Sequence, residues 1–421
     1  MSHHSAAHLA SSARPPELAG GAFQSGRRAN GGLESLLEIA RRLRRVRPFL
    51  VTQRESEYTE RWRAAGLEAL VWELPNPDRR PSRLLARYAR NAWLLGMNRR
   101  FATLLRARGV RVVHCNDGSA MAMAGVGARH AGARIALNIR DTALGNIVKW
   151  RGYRLLADEI VVLSQEMRQF VELRLALPAW CAARGAPITA IYSIVDTERL
   201  SPPSEPARSE LRAHLGIAPE TFAVGVVAAF APKKQQLELL EALARAAGRM
   251  RPSLSFYFVG DFEPERDAYA AACRRALEGS SAHDRVQFVG FTPQPERWYR
   301  ALDLTLLPSR TEGLARSTIE SMACGTPVVA FDFCSAREVI ERHDAGFVVA
   351  QGDFPGLLAR VDQFAADAAL RERCSANAVR TARTLFDPSH VVTGYERVYE
   401  RLSSLASAQR GARRPGSGSP P

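Results

Sequence analysis

Glu312 and Glu320, separated by seven residues, bracket a short glycine-containing stretch within LTLLPSRTEGLARSTIESMACGTPVVA, residues 304–330. An ionised carboxylate only accepts hydrogen bonds, so such a pair is suited to holding hydroxyl groups at two points of one ligand. The stretch reads as strand, loop, helix and strand, with Gly325 stopping the helix. Ser317 and Glu320 fit an S-x-x-E capping box, which predicts Glu320 in the first helical turn and aims the amides of Gly313, Leu314 and Ala315 into a cleft. Amides and the positive end of a helix favour a diphosphate. Without further context Glu320 is a capping residue and nothing more.

The context comes from a second turn. The chain holds 55 arginines and three lysines, Lys149, Lys233 and Lys234, and two of those lysines stand side by side after an apolar run, Phe222 to Phe230. A helical pattern follows from Gln235. A compact ammonium is a point charge suited to phosphate, where the surrounding arginines are planar forks. Two chance lysines in a polar turn are the plain alternative.

Both turns need strands behind them. Strands are expected at Phe49–Thr52, Ala69–Trp72, Val110–His114, Ile135–Ile139, Glu159–Leu163 and Ile188–Tyr192, with helices between. After the Pro- and Ser-containing stretch Ser201–Pro206 a second series runs through Phe222–Phe230, Leu254–Gly260, Arg285–Val289, Leu304–Leu307 and Pro327–Phe331. That rhythm predicts two doubly wound α/β domains with parallel sheets, residues 31–200 and 207–387, and ligands at the carboxyl ends of strands. A helix over 388–407, with Tyr395, Val398 and Tyr399, is expected to cross back onto the first domain. Residues 1–30 and 408–421 are expected to be poorly ordered, and residues 17–24 make a poor first strand, degenerate or absent.

With 421 residues and 46% hydrophobic content, two cores are available. The six cysteines, Cys115, Cys181, Cys273, Cys324, Cys334 and Cys374, are dispersed, without CxxC pairs or a leader-like segment, which suits a reducing cytoplasm. No apolar run has the length of a membrane span, and no His/Cys spacing suggests zinc. Residues 1–200 carry 31 Lys+Arg against 17 Asp+Glu, so nearly all of the +15 net charge lies there and points at an anionic partner. Residues 83–108 set arginines beside Leu84, Leu85, Tyr88, Trp93 and Leu94, a pattern that suits an anionic membrane surface and equally an ordinary half-buried helix.

The segment from Glu312 to Glu320, continued by Ala323 and Cys324-Gly325-Thr326-Pro327-Val328-Val329, resembles the donor-site motif of the GT-B glycosyltransferases of family 4. Ala231-Pro232-Lys233-Lys234 is similar to that family's phosphate-binding turn, with Lys234 at its lysine. Gly31-Gly32-Leu33-Glu34 is similar to its glycine-rich turn, VVLSQEM (161–167) to a strand-to-serine segment, and IYSIVDTERLSP (191–202) to the approach to the interdomain linker. The resemblance covers nearly everything after residue 30. It implies a GT-B fold and a retaining transfer from a nucleotide-sugar, with Glu312 on the sugar, Glu320 on the ribose, and Lys234, Lys233 and loop amides on the diphosphate. It implies no metal, and an acceptor, glycan or lipid-linked, entering from the N-terminal domain during lipopolysaccharide or exopolysaccharide assembly on the cytoplasmic side of a membrane. Gly260, Gly290 and Thr292, at strand ends, are candidates for the nucleobase pocket.

Three places in the chain depart from the family. Ala229 stands where an arginine is usual, Arg140 where a histidine precedes Asp141, and Ser193-Ile194 where Asn-Gly is usual. Arg140 and Asp141 face the sugar or an acceptor phosphate, or else form an ion pair at a strand end. These departures leave open a protein that binds donor without transferring it. A nucleotide-sugar epimerase would need an acid/base set beyond the donor pair, and none is visible. A nucleic-acid binder would explain the arginines and leave the Glu312/Glu320 spacing unexplained, so no nucleic acid is expected.

Overall fold

The computed structural model describes residues 17–21, 31–52, 55–72 and 83–412, with side chains for 31–52, 55–72 and 95–408. The segments 1–16, 22–30 and 413–421 expected to be poorly ordered lie outside the described residues, as do the side chains of Leu84, Leu85, Tyr88, Trp93 and Leu94, whereas residues 408–412, expected in the C-terminal tail, continue the helix Pro388–Ala412.

The first sheet contains β1 (Glu17–Gly21), β2 (Arg47–Thr52), β3 (Glu68–Val71), β4 (Val112–Cys115), β5 (Arg134–Ile139), β6 (Glu159–Val162) and β7 (Ile188–Ala190), in the order β3-β2-β1-β4-β5-β6-β7. The second contains β8 (Phe222–Val227), β9 (Leu254–Val259), β10 (Val286–Gly290), β11 (Leu304–Leu307), β12 (Val328–Phe331) and β13 (Gly346–Val349), in the order β10-β9-β8-β11-β12-β13. Every pairing is parallel. Both orders reverse direction once, between β1 and β4 and between β8 and β11. A crevice opens at such a reversal, outside the strands' carboxyl ends. Strands such as β4, β6, β11 and β12 are buried throughout, which is why they read as continuous apolar runs rather than alternating ones.

The expectation of a degenerate or absent first strand is overturned: Glu17–Gly21 lies in the middle of the first sheet, pairing with β2 on one side and β4 on the other. Ladder hydrogen bonds come from the backbone, so two flanking strands override the weak β-propensity of Ala and Gly. The strand expected over Phe222–Phe230 ends at Val227, and a single 3-10 turn, Pro232–Lys234, precedes the helix Gln236–Ala246. Gln235 joins them in the left-handed region, at φ +55°.

The helix Pro388–Ala412 packs Val391, Tyr395, Val398, Tyr399 and Leu402 against Val112, Ala136, Val161 and Ile194 of the first half. One apolar core also crosses the cleft, joining Ile139, Leu144 and Met167 to Leu314, Ala315 and Ile319. The halves are therefore in contact.

Candidate functional site

The loop after β8 and the loop after β11 meet at the reversal of the second sheet. Lys234 Nζ donates to Glu312 Oε1 at 2.5 Å, with the two side chains only 17% and 12% exposed. Arg310 N donates to Lys233 O at 2.8 Å, which ties the loops together through their backbones. Lys233 itself points outward, half-exposed, 3.5 Å from Asp141 Oδ2 of the other half. Asp141 also accepts from the amide of Ala143, closing the turn after β5.

The helix after Glu312 spans Arg316–Ala323, and its N-cap is Ala315, without a side-chain cap. The predicted capping box does not form. The helix begins at Arg316, so Ser317 is already inside it, and Glu320 lies in the second turn. Glu320 is buried and accepts instead from Arg316 Nε at 2.6 Å. Thr318 N donates to Ala315 O at 3.1 Å, and the uncapped start leaves the amides of Arg316 and Ser317, beside Gly313, Leu314 and Ala315, for another partner.

Gly313 is a point of close approach. A Cβ built on it would lie 2.3 Å from the carbonyl oxygen of Arg140, so only glycine lets the loop after β11 reach the first half in this way. Gly31 makes the second such approach, with its built Cβ 3.2 Å from Arg316 Cβ. Gly32 O accepts from Asn116 Nδ2 at 3.3 Å.

A polar chain then crosses the cleft. Arg316 Nη1 donates to Ser35 Oγ at 3.3 Å, Ser35 Oγ lies 2.9 Å from Ser193 Oγ, and Arg140 Nη2 donates to Ser193 Oγ at 3.3 Å. Burial pulls Arg140 below the ordinary arginine pKa; Tyr395 opposes the shift and the charge of Arg316 adds to it. Behind Arg140, Asn138 Nδ2 donates to Tyr395 OH at 3.0 Å, and Tyr399 OH lies 2.8 Å from Nδ1 of the buried His114. Burial lowers His114 to about 3.

The proposed nucleobase residues form a separate group. Gly260 N donates to Gly290 O at 2.9 Å, joining the ends of β9 and β10, while Thr292 Oγ1 accepts from Gln294 N and so closes a turn. Phe291 beside them is 56% exposed. Sequence reasoning did not find Arg316, Ser35 or Glu338. The Glu338 carboxylate accepts from the amides of Gln165 and Glu166, at 3.0 and 2.7 Å, capping from across the cleft the helix Gln165–Arg174, and also accepts from Tyr192 OH. Beside it, Ser335, at φ +74°, bonds Ser164, the N-cap residue of that helix. The i,i+4 spacing of Arg316 to Glu320 was a readable signal; the links across the cleft were not.

Two family descriptions tile the chain: Glycosyltransferase Family 4 matches residues 29–199, and Glycosyl transferases group 1 matches residues 207–381. A lipopolysaccharide core biosynthesis mannosyltransferase of Rhizobium meliloti is 27% identical over 218 residues, 51% of this chain and 61% of the relative. A D-inositol 3-phosphate glycosyltransferase of Thermomonospora curvata is 30% identical over 238 residues, 54% of each. The chain thus spans less than two-thirds of the length of these curated relatives. Anabaena HepE, solved in complex with UDP, superposes with a TM-score of 0.74 at 21% identity, over 92% of this chain and 100% of that one. A glycosyltransferase from Rickettsia africae gives 0.75 at 15%, over 93% and 99%. Two parallel-sheet domains facing a cleft, matched along nearly their whole length by GT-B structures and by both halves of the family description, identify the chain as a member of the GT-B glycosyltransferases of family 4.

Proposed function

We propose that the protein is a retaining glycosyltransferase that moves a sugar from a nucleotide-sugar to a glycan or lipid-linked acceptor in cell-surface polysaccharide or lipopolysaccharide biosynthesis. The observation that carries this reading is the pairing of both motif carboxylates with cations, Lys234 with Glu312 and Arg316 with Glu320, beside an uncapped helix start at the sheet's reversal. Glu312 would orient the sugar and Glu320 the ribose. Lys234, with Lys233 and the amides of Gly313 to Ala315, would take the diphosphate as it leaves. The nucleobase would lie toward Gly260, Gly290 and Thr292, and Gly31 and Gly32 would close over the donor.

Such a site works by positioning and by stabilising charge that develops on the leaving group. The acceptor hydroxyl approaches the face from which the diphosphate departs, so the sugar keeps its anomeric configuration. Arg140 and Asp141 line the acceptor side. We further propose that no divalent metal takes part. Cationic side chains and a helix start supply the positive charge that a metal would otherwise bring.

Pathway and acceptor lean on the mannosyltransferase relative named above. No described helix is long and apolar enough to cross a membrane. A lipid-linked acceptor would be met at the membrane surface. Exposed apolar side chains support this: Val148, Leu173 and Trp180 are 79%, 77% and 81% exposed, in stretches 142–157 and 173–187 that hold five Lys or Arg and no acidic residue. Exposed tryptophan with basic neighbours suits an anionic headgroup layer.

The test is proton NMR of the product formed with each UDP-, GDP- and ADP-sugar and a panel of acceptors. A product with the donor's anomeric configuration is expected. An inverted product would refute retention, and donor binding without release or transfer would favour the non-transferring reading that Ala229 and Arg140 raise.

A further inference from the structure

We propose that Arg316 is the second cation of the diphosphate site, supplying the charge that Ala229 does not. This rests on the donor-site reading above. Ala229 is exposed in the loop between β8 and the lysine turn and offers only backbone, its carbonyl accepting from Gln236 Nε2. Arg316 opens the helix whose uncapped start faces the cleft, and its side chain is 17% exposed. It lies between Glu320 and the glycine turn of the other half, within hydrogen-bond distance of Ser35 and against Gly31. Arg140, the other arginine of the cleft, sits farther along the chain Ser35–Ser193 and is engaged by Ser193 and Tyr395.

The charges are balanced two against two, Lys234 with Glu312 and Arg316 with Glu320. A ligand that brought only hydroxyls would draw Glu320 away from Arg316 and leave a half-buried guanidinium without an anion, which is unfavourable. A ligand that brings hydroxyls and a diphosphate exchanges partners instead. Its hydroxyls donate to the carboxylates, and its phosphate oxygens accept from Lys234 and Arg316. No bond forms or breaks in this exchange. Arg316 thereby makes the site selective for the diphosphate rather than for the nucleoside, and guanidinium suits phosphate through its paired donors.

The experiment is calorimetric titration of the full chain with whichever of UDP, GDP or ADP binds best, beside the matching monophosphate and nucleoside. The proteins are wild type, Arg316→Gln, Arg316→Lys and the double variant Arg316→Gln/Ala229→Arg, each with a thermal melt to verify folding. Arg316→Gln is expected to weaken the diphosphate about tenfold, as for loss of a charge-assisted hydrogen bond, and to leave the nucleoside no weaker. Arg316→Lys keeps part of the affinity, and the double variant recovers diphosphate binding. Equal losses for diphosphate and nucleoside, or no loss for either, would overturn the role of Arg316 while leaving the donor site standing. Wild type that binds none of the three diphosphates would overturn the donor-site reading and this inference with it.

Discussion

Lys234 Nζ and Glu312 Oε1 are 2.5 Å apart across the meeting point of two loops that are 78 residues distant in sequence. The pair fixes the ammonium next to the helix start, where departing phosphate charge would develop. Lys234→Ala is expected to lower kcat about 100-fold, the usual cost of removing one stabilising group at a developing anion. Because the variant also leaves the largely buried Glu312 carboxylate without its cation, the melting temperature is expected to fall as well. Steady-state kinetics and a thermal melt on the same preparation check both halves of the statement.

Gly313 tests whether close contact between the halves matters for the donor. In Gly313→Ala the new methyl meets the Arg140 carbonyl at 2.3 Å, which the backbone must relieve by retreating. Overpacking of this kind costs about 1 to 3 kcal/mol. Donor affinity should fall by about tenfold or more for that cost, with circular dichroism unchanged. Small-angle scattering should record a wider cleft.

Glu338 holds the halves together from the far side. Removing its carboxylate in Glu338→Ala leaves the amides of Gln165 and Glu166 and the Tyr192 hydroxyl without their shared acceptor. A loss of about 2 to 3 kcal/mol in unfolding free energy is expected from these charge-assisted bonds. Urea denaturation measures it, and Glu338→Gln, which keeps one acceptor oxygen, should lose less.

His114 sets an acid dependence. Its folded pKa is depressed to about 3 by burial against an ordinary value of 6.5, so the unfolded chain binds the proton first as pH falls. The folded state therefore loses stability below pH ~6.5, and the loss stops growing only below about 3. Between pH 7 and pH 5 the histidine's share is about 2 kcal/mol. Urea titrations at the two pH values should reveal it, and His114→Gln should remove that share of the difference.

How much of this was legible depends on the range of each interaction. Glu312, Glu320 and Lys234 were readable because spacing within one strand-loop-helix unit is local, and because lysine is rare in this chain. The parallel-sheet alternation was readable from buried apolar runs. β1 was not, since Ala and Gly carry no strand signal and its place is fixed by two neighbours. The S-x-x-E box misled because the helix begins one residue before Ser317, and Arg316 then offers Glu320 a stronger partner than a backbone amide. Arg316 went unnoticed as one arginine among 55. The bonds from Arg316 to Ser35 and from Glu338 to the Gln165 helix exist only once the two halves dock, so no local pattern encodes them.

The most direct test of the donor site is calorimetric titration of wild type, Glu320→Ala and Lys234→Ala with UDP-, GDP- and ADP-sugars, with and without magnesium. Binding of one nucleotide class, independent of magnesium and weakened in both variants, is the predicted result. A folded wild type that binds none of them, or variants that bind as tightly as wild type, would contradict it.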